Sequence, residues 1–163
     1  MADASQLARA AKLGLCINFF SNHIYYWGDA HYEQTMGADR ANRMNAAESA
    51  RRLGIAFAFH SDAPITPLNP LFTAWCASRR ETSSGRVLGA SERVPVADAL
   101  RAITLGAAYT LKMDHLVGSI EVGKFADFAV LEEDPSEVAP ERLKDLQVWG
   151  TILGGRVFQG PAG

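Results

Sequence analysis

Residues 55–67 (IAFAFHSDAPITP) constrain the fold of this chain more than any other stretch. Large apolar residues alternate with Ala56, Ala58 and His60, and Asp62 continues the register of His60. Because side chains alternate faces along a strand, one face is large and apolar and the other is small, then polar at its end. This pattern is typical of a (β/α) barrel strand, whose polar residues reach the C-terminal rim. The alternative is an ordinary buried strand whose aspartate caps the next turn.

The totals place the chain among single-domain globular proteins. It has 163 residues, of which 48% are hydrophobic and 21% charged, with a formal net charge of -2. This length supports one domain with its own core. The charge balance favours neither nucleic acid nor an anionic membrane as a partner, and neither a membrane span nor a signal peptide is evident. Cys16 and Cys76 lie outside any paired spacing, so we expect free thiols in a cytoplasmic protein.

The predicted elements follow the order of two successive barrel units, in which a helix, a glycine and an apolar strand recur. Helices are predicted over residues 3–13, 45–52, 71–80 and 95–113, and strands over residues 15–20 and from Ile55 onward. Arg79 and Arg80 are predicted to form the solvated end of the third helix, where the helix dipole favours cations. We expect this part of the barrel to occupy residues 1–115.

From residue 117 onward the sequence predicts short strands joined by tight turns. One short strand is expected just after Gly118, another over residues 125–131, and a hairpin over 148–158 that turns at Gly154 and Gly155. Because short strands and tight turns replace the helix–strand units that precede them, we expect a separate small β-sheet region over residues 116–163.

Residues 21–32 (SNHIYYWGDAHY) concentrate aromatic and polar groups directly after a predicted strand. We interpret them as a loop that forms a ligand pocket wall, since rim loops carry function in this architecture. A packed surface loop with hydroxyls reaching water is the alternative. His23 and His31 are possible metal ligands, but their spacing matches no known metal-binding template.

Three motifs resemble the amidohydrolase superfamily, in the branch related to N-substituted formamide deformylases. They are FHSDAP at 59–64, the run ALRAITLGAAYTLKMDHLVGSIEVGKFADFAVL at 99–131 and TILGGRVF at 151–158. The GSIExGKxAD core of the second motif is the most specific. The segment with His23 and YYWGD is also similar to the family's loop after the seventh strand.

The resemblance implies an α/β fold: the C-terminal part of a (β/α)8 TIM-type barrel, followed by strands of a small β-sandwich. It implies an enzyme whose metal ligands come from five strands, of which only the aspartate of the eighth is present, as Asp62. A whole barrel needs about 250 residues. We therefore expect the chain to be a C-terminal fragment that is inactive alone and forms a homo-oligomer through its exposed barrel edges.

The resemblance further implies hydrolysis of a non-peptide C–N bond in a small amide-like substrate. Asp62 would bind a divalent metal, zinc first among the candidates, and take a proton from the metal-activated water. His60 would orient Asp62 or contact substrate, and His23, Tyr26 and Trp27 would line the substrate pocket. The alternative is a remnant or small-ligand-binding module that holds no metal and catalyses nothing.

Overall fold

The computed structural model describes residues 2–160, which form seven α-helices and two small sheets. The helices are α1 Ala4–Lys12, α2 Asn22–Ala30, α3 Ala38–Asn42, α4 Ala47–Arg52, α5 Pro70–Arg79, α6 Val96–Ile103 and α7 Leu105–Thr110. The strands are β1 Ile17–Phe20, β2 Phe57–His60, β3 Phe128–Leu131, β4 Val148–Leu153 and β5 Arg156–Gln159. The expectation of a mixed α/β chain is confirmed.

Strands β1 and β2 pair in parallel, with Phe20 opposite His60 at their C-terminal ends. The helices that lead into them, α1 and α4, are followed two residues later by Gly14 and Gly54, whose φ angles of 64° and 69° suit glycine. The parallel register therefore brings the last residues of both strands to the same edge, where the chain turns polar.

The two faces of this strand pair have different surroundings. Phe19 and Phe59 are 8% and 5% exposed and lie in the main hydrophobic core with Trp75 of α5. On the opposite face Asn18 of β1 is exposed, whereas its partner Ala58 of β2 is fully buried. The large apolar face therefore packs under the helices, as the alternating pattern predicts.

Three predicted elements were wrong in form. Residues 21–32, predicted as a loop, form α2 and continue into a π-helical turn at His31–Thr35. The single helix predicted over residues 95–113 breaks at Thr104, where φ is -118° and ψ is -96°, into α6 and α7. The strand expected just after Gly118 is replaced by turns.

The C-terminal sheet has the antiparallel order β3-β4-β5. Its last hairpin turns at Gly154 and Gly155, with φ angles of 57° and 80°, so this prediction is confirmed. Every residue of β5 is exposed. Among the described residues, no helix is both long enough and apolar enough for a membrane span.

Candidate active site

An aromatic stack occupies the C-terminal ends of the parallel strands. The ring of Phe20 stacks on His23, with centroids 5.1 Å apart and planes at 17°, and on His60, at 5.3 Å and 20°. Trp27 contacts the edge of this stack, with its centroid 5.3 Å from that of His23. Three of the residues predicted to bind substrate therefore lie together around Phe20, which sequence reasoning missed.

Asp62 follows β2 with its backbone in the left-handed region at φ 56°. This conformation costs a non-glycine residue about 1–3 kcal/mol, and the turn is held by the Ile65 amide, which donates to the Asp62 carbonyl over 2.8 Å. The side chain is exposed and makes no hydrogen bond or ion pair within residues 2–160. The fold thus presents a carboxylate with all its acceptor capacity unused.

An open cleft of about 350 Å³ runs from this turn toward α5. His60, Ser61 and Asp62 form one wall, and Pro70 and Thr73 of α5 lie on another. Its apolar lining and single carboxylate suit a small molecule more than a macromolecule.

The His23 ring of this stack also contacts a second histidine, His31, which in turn contacts Thr35. The Nε2 atoms of His23 and His31 are 2.9 Å apart, and Nδ1 of His31 lies 2.7 Å from the Thr35 hydroxyl. Burial lowers the pKa of His23, the nearby His31 lowers it further, and the charge of Asp62 opposes both effects.

Tyr26 occupies a different position from the other predicted pocket residues. Its ring is 41% exposed and lies between Trp27, at 5.7 Å between centroids, and Phe72 of α5, at 6.1 Å. Partial burial raises the pKa of Tyr26. Tyr26 therefore reaches the aromatic stack only through Trp27.

Arg80 is linked to the end of β1 through Asn45. Its side chain donates to the backbone carbonyls of Leu88, at 2.6 Å, Met44, at 2.7 Å, and Asn45, at 2.9 Å. The Asn45 amide in turn donates to the carbonyl of Phe20 over 3.0 Å. Arg80 is 1% exposed, and burial lowers its pKa to about 10. The prediction of a solvated Arg80 was wrong, because its partners come from segments distant in sequence.

Residues 2–160 of this chain could supply one ligand of a metal site but not a complete set of ligands. Within the described residues, no group of three or more His, Cys, Asp or Glu side chains could hold a metal ion. A catalytic zinc usually has three protein ligands. Asp62, exposed and unpartnered, fits one ligand of such a set.

The fold is similar to that of a known class of hydrolases. The crystal structure of an adenosine deaminase from Xanthomonas campestris with bound zinc matches with a TM-score of 0.67 and 22% identity. The match covers 96% of this chain and 35% of that one. At this identity the likeness establishes the fold alone.

The sequence relationship is more specific. The amidohydrolase family model matches residues 1–159, and the chain belongs to this family. N-substituted formamide deformylase from Arthrobacter pascens is 30% identical over 156 residues, covering 95% of this chain. Putative amidohydrolase YtcJ from Bacillus subtilis is 34% identical over 161 residues, also covering 95%. The chain spans only 29% and 30% of the lengths of these two relatives.

Proposed function

We propose that this chain is the C-terminal part of a metal-dependent amidohydrolase that cleaves a non-peptide C–N bond in a small amide-like molecule. Residues 1–115 would be the last strands and helices of a (β/α)8 barrel, and residues 116–163 strands of a β-sandwich. The parallel pairing of β1 and β2, with the Phe19 and Phe59 face in the main hydrophobic core, supports this assignment. The similarity to the N-substituted formamide deformylase of Arthrobacter pascens supports an amide substrate.

The single observation that carries the proposal is the exposed, unpartnered carboxylate of Asp62 at the C-terminal end of β2. Barrel enzymes keep their catalytic groups at this end of the strands. Asp62 would hold a divalent metal, zinc first, together with ligands from outside this chain. When bound, such an ion polarises a substrate carbonyl and activates water.

Asp62 also has the position of a proton carrier. Its carboxylate accepts a proton from the attacking water and returns it to the leaving nitrogen. The turn favours this role, because the Ile65 amide fixes the Asp62 backbone and, among the described residues, no side-chain partner competes for the carboxylate. The role fits an exposed carboxylate and does not fit one engaged in a structural ion pair.

The neighbouring rings would bind the substrate. His60 lies on the same strand as the Asp62 turn and lines the cleft, where it orients Asp62 or contacts substrate. His23, which stacks on Phe20 and lines a second depression with Asn18, and Trp27 would supply aromatic surface to the substrate. Tyr26 would extend that wall at its outer side, through Trp27.

One observation favours a second function. Because no cluster of three potential ligands exists within residues 2–160, the chain by itself could act as a small-ligand-binding module that holds no metal. In that case the aromatic stack would bind the ligand, and Asp62 would have no chemical role.

The chain would self-associate when isolated. Its exposed strand face and the edge of β1 opposite β2 are unpaired within the described residues, and such edges recruit other strands. We expect a homo-oligomer in sedimentation velocity. A single monodisperse monomer would contradict this part of the proposal.

The deciding experiment measures formate release from an N-substituted formamide by the protein expressed with the coding sequence that precedes this chain. We expect activity that a chelator abolishes and added zinc restores. Asp62→Asn should lower kcat by roughly 10²–10⁴-fold, the usual contribution of a positioned acid–base group.

The matched control is Asp39→Asn, an exposed aspartate whose side chain pairs only with Arg43 among the described residues. This variant should keep full activity. Full activity of Asp62→Asn, or ligand binding without any metal-dependent turnover, would contradict the proposed hydrolase and favour the binding module. Metal content by elemental analysis of the chain alone tells whether it retains an ion by itself.

A further inference from the structure

His23 and His31 face each other through the same ring nitrogen. A separation of 2.9 Å between two Nε2 atoms is a hydrogen-bond distance. Two lone pairs at this distance repel, and two N–H groups collide, so one proton lies between the rings. The ring planes are nearly perpendicular, at 89°, which excludes stacking as the reason for the contact.

The pair is connected at only one of its two outer nitrogens. Nδ1 of His31 lies 2.7 Å from the Thr35 hydroxyl, within the π-helical turn that follows α2. Nδ1 of His23 makes no hydrogen bond within residues 2–160. A π-helical turn is rare and is frequently found at functional sites. In this π-helical turn the side chains of His31 and Thr35, four residues apart in sequence, lie within hydrogen-bond distance of each other.

We propose that His31 is a positioning residue that fixes the neutral tautomer of His23. The Thr35 hydroxyl donates to Nδ1 of His31, and Nε2–H of His31 donates to Nε2 of His23. His23 then carries its own proton on Nδ1, so the free nitrogen is a donor.

The consequence for chemistry rests on the proposed function. A fixed N–H on His23, whose ring lines a depression with Asn18 and Asn45, would be a hydrogen-bond donor for the carbonyl oxygen of an amide substrate, where negative charge develops during hydrolysis. A free histidine samples both tautomers and offers this donor only part of the time. His31 would act without touching the substrate.

The test is nuclear magnetic resonance of the purified chain labelled with ¹⁵N-histidine, at alkaline pH where the imidazoles are neutral. The chain has only four histidines, so single replacements assign every signal. We expect scalar coupling between the two Nε2 nuclei across the hydrogen bond, with Nδ1 of His23 protonated. Absence of that coupling, or a proton on Nε2 of His23, would overturn the proposal.

Variants separate positioning from a general structural effect. In His31→Phe the coupling disappears and the two His23 nitrogens average between tautomers. In His31→Gln the side-chain amide donates to Nε2 of His23, so the Nδ1 proton is restored. The matched control is His115→Phe, since His115 lines a separate depression with Asp114 and Lys124. A His23 tautomer unchanged in His31→Phe would contradict the proposal.

The wild-type spectrum alone decides the hydrogen bond, so misfolding of a variant does not remove the test. The outcome is also independent of the metal-dependent hydrolysis. If Asp62→Asn keeps full activity while the His23–His31 coupling is present, the hydrolase proposal fails and the tautomer assignment stands. If the coupling is absent from an active enzyme, the reverse holds.

Discussion

The two sheets of this molecule use apolar strand residues in opposite ways. In the parallel pair, Phe59 of β2 is 5% exposed and lies in the main core. In the antiparallel sheet, Phe158 of β5 is 46% exposed and Trp149 of β4 is 43% exposed. All three of these strands contain large apolar residues, so the composition of a strand does not determine whether it is buried. Burial depends on whether another layer covers the strand. Helices α5 and α6 supply that layer for the parallel pair, whereas the antiparallel sheet contacts the main core through Leu131 of β3.

The same contrast holds for charged residues. Arg80, beneath the end of β1, is 1% exposed and is satisfied by backbone carbonyls. Arg156 of β5 is exposed, and its guanidinium lies 5.8 Å from the ring centroid of Phe158. The parallel region therefore depends on specific long-range hydrogen bonds, whereas the C-terminal sheet depends on its local ladder.

The largest expected difference comes from the two arginines. Arg80→Met should lower the free energy of unfolding by roughly 3–5 kcal/mol, because several buried carbonyls lose a charged donor. Arg156→Met should change it by less than about 0.5 kcal/mol, as is usual for exposed positions. Urea denaturation of both variants measures the difference.

Arg80→Lys sharpens this comparison. Lysine keeps the charge but lacks the planar fork that reaches three carbonyls of two different segments at once. We expect it to recover only a minor part of the lost stability. Equal effects of Arg80→Met and Arg156→Met would mean that the buried carbonyl cluster is not a stabilising feature.

Phenylalanines on the two sheets give the next largest difference. Phe59→Ala should destabilise the chain by about 3–5 kcal/mol, because it removes a buried ring and leaves a cavity. Phe158→Ala, matched in residue type, should cost about 1 kcal/mol or less because its ring is already half in water. Thermal unfolding of the two variants checks this order, and a reversal would show that the C-terminal sheet carries an unseen covering layer.

Local pattern was sufficient to predict much of the strand framework. The alternation before Asp62 predicts which face of β2 enters the core, and Gly154 and Gly155 predict the last turn, because each signal lies within a few residues. Helix α2 was missed because its aromatic residues and Gly28 have low helix propensity. A Cβ at Gly28 would lie 2.6 Å from Cγ2 of Thr82. Glycine is therefore required here by a contact with a residue distant in sequence.

The candidate site follows the same division. Asp62 and His60 were predictable because they continue the register of one strand. Phe20 was not predicted, since its position between two histidines depends on the pairing of β1 with β2. Arg80 was interpreted as solvated because its partners become visible only in three dimensions. Long-range pairing, more than local preference, therefore builds the support of the site.

The smallest expected difference concerns two glutamates and pH. Hydrogen bonds from Arg51 and Arg52 lower the pKa of Glu48 in α4 to about 2, although burial of the carboxyl acts in the opposite direction. Because the folded pKa lies below the ordinary value of 4.5, this stabilisation is complete above pH 4.5 and is lost as the pH falls toward 2. The arginines are largely exposed, so we expect only about 1–2 kcal/mol at neutral pH.

Urea denaturation of Glu48→Gln from neutral pH down to about pH 3 measures this term. The stability gap between wild type and variant should shrink as the pH falls, since protonated Glu48 and glutamine are then equivalent. Glu121, in the turns that precede the C-terminal sheet, is the control: the Ser119 hydroxyl and Lys124 lower its pKa, but it is fully exposed. Glu121→Gln should leave the profile unchanged. A gap that is constant with pH would mean that Glu48 stabilises α4 by packing alone, so the charge contrast between the two regions would rest on Arg80.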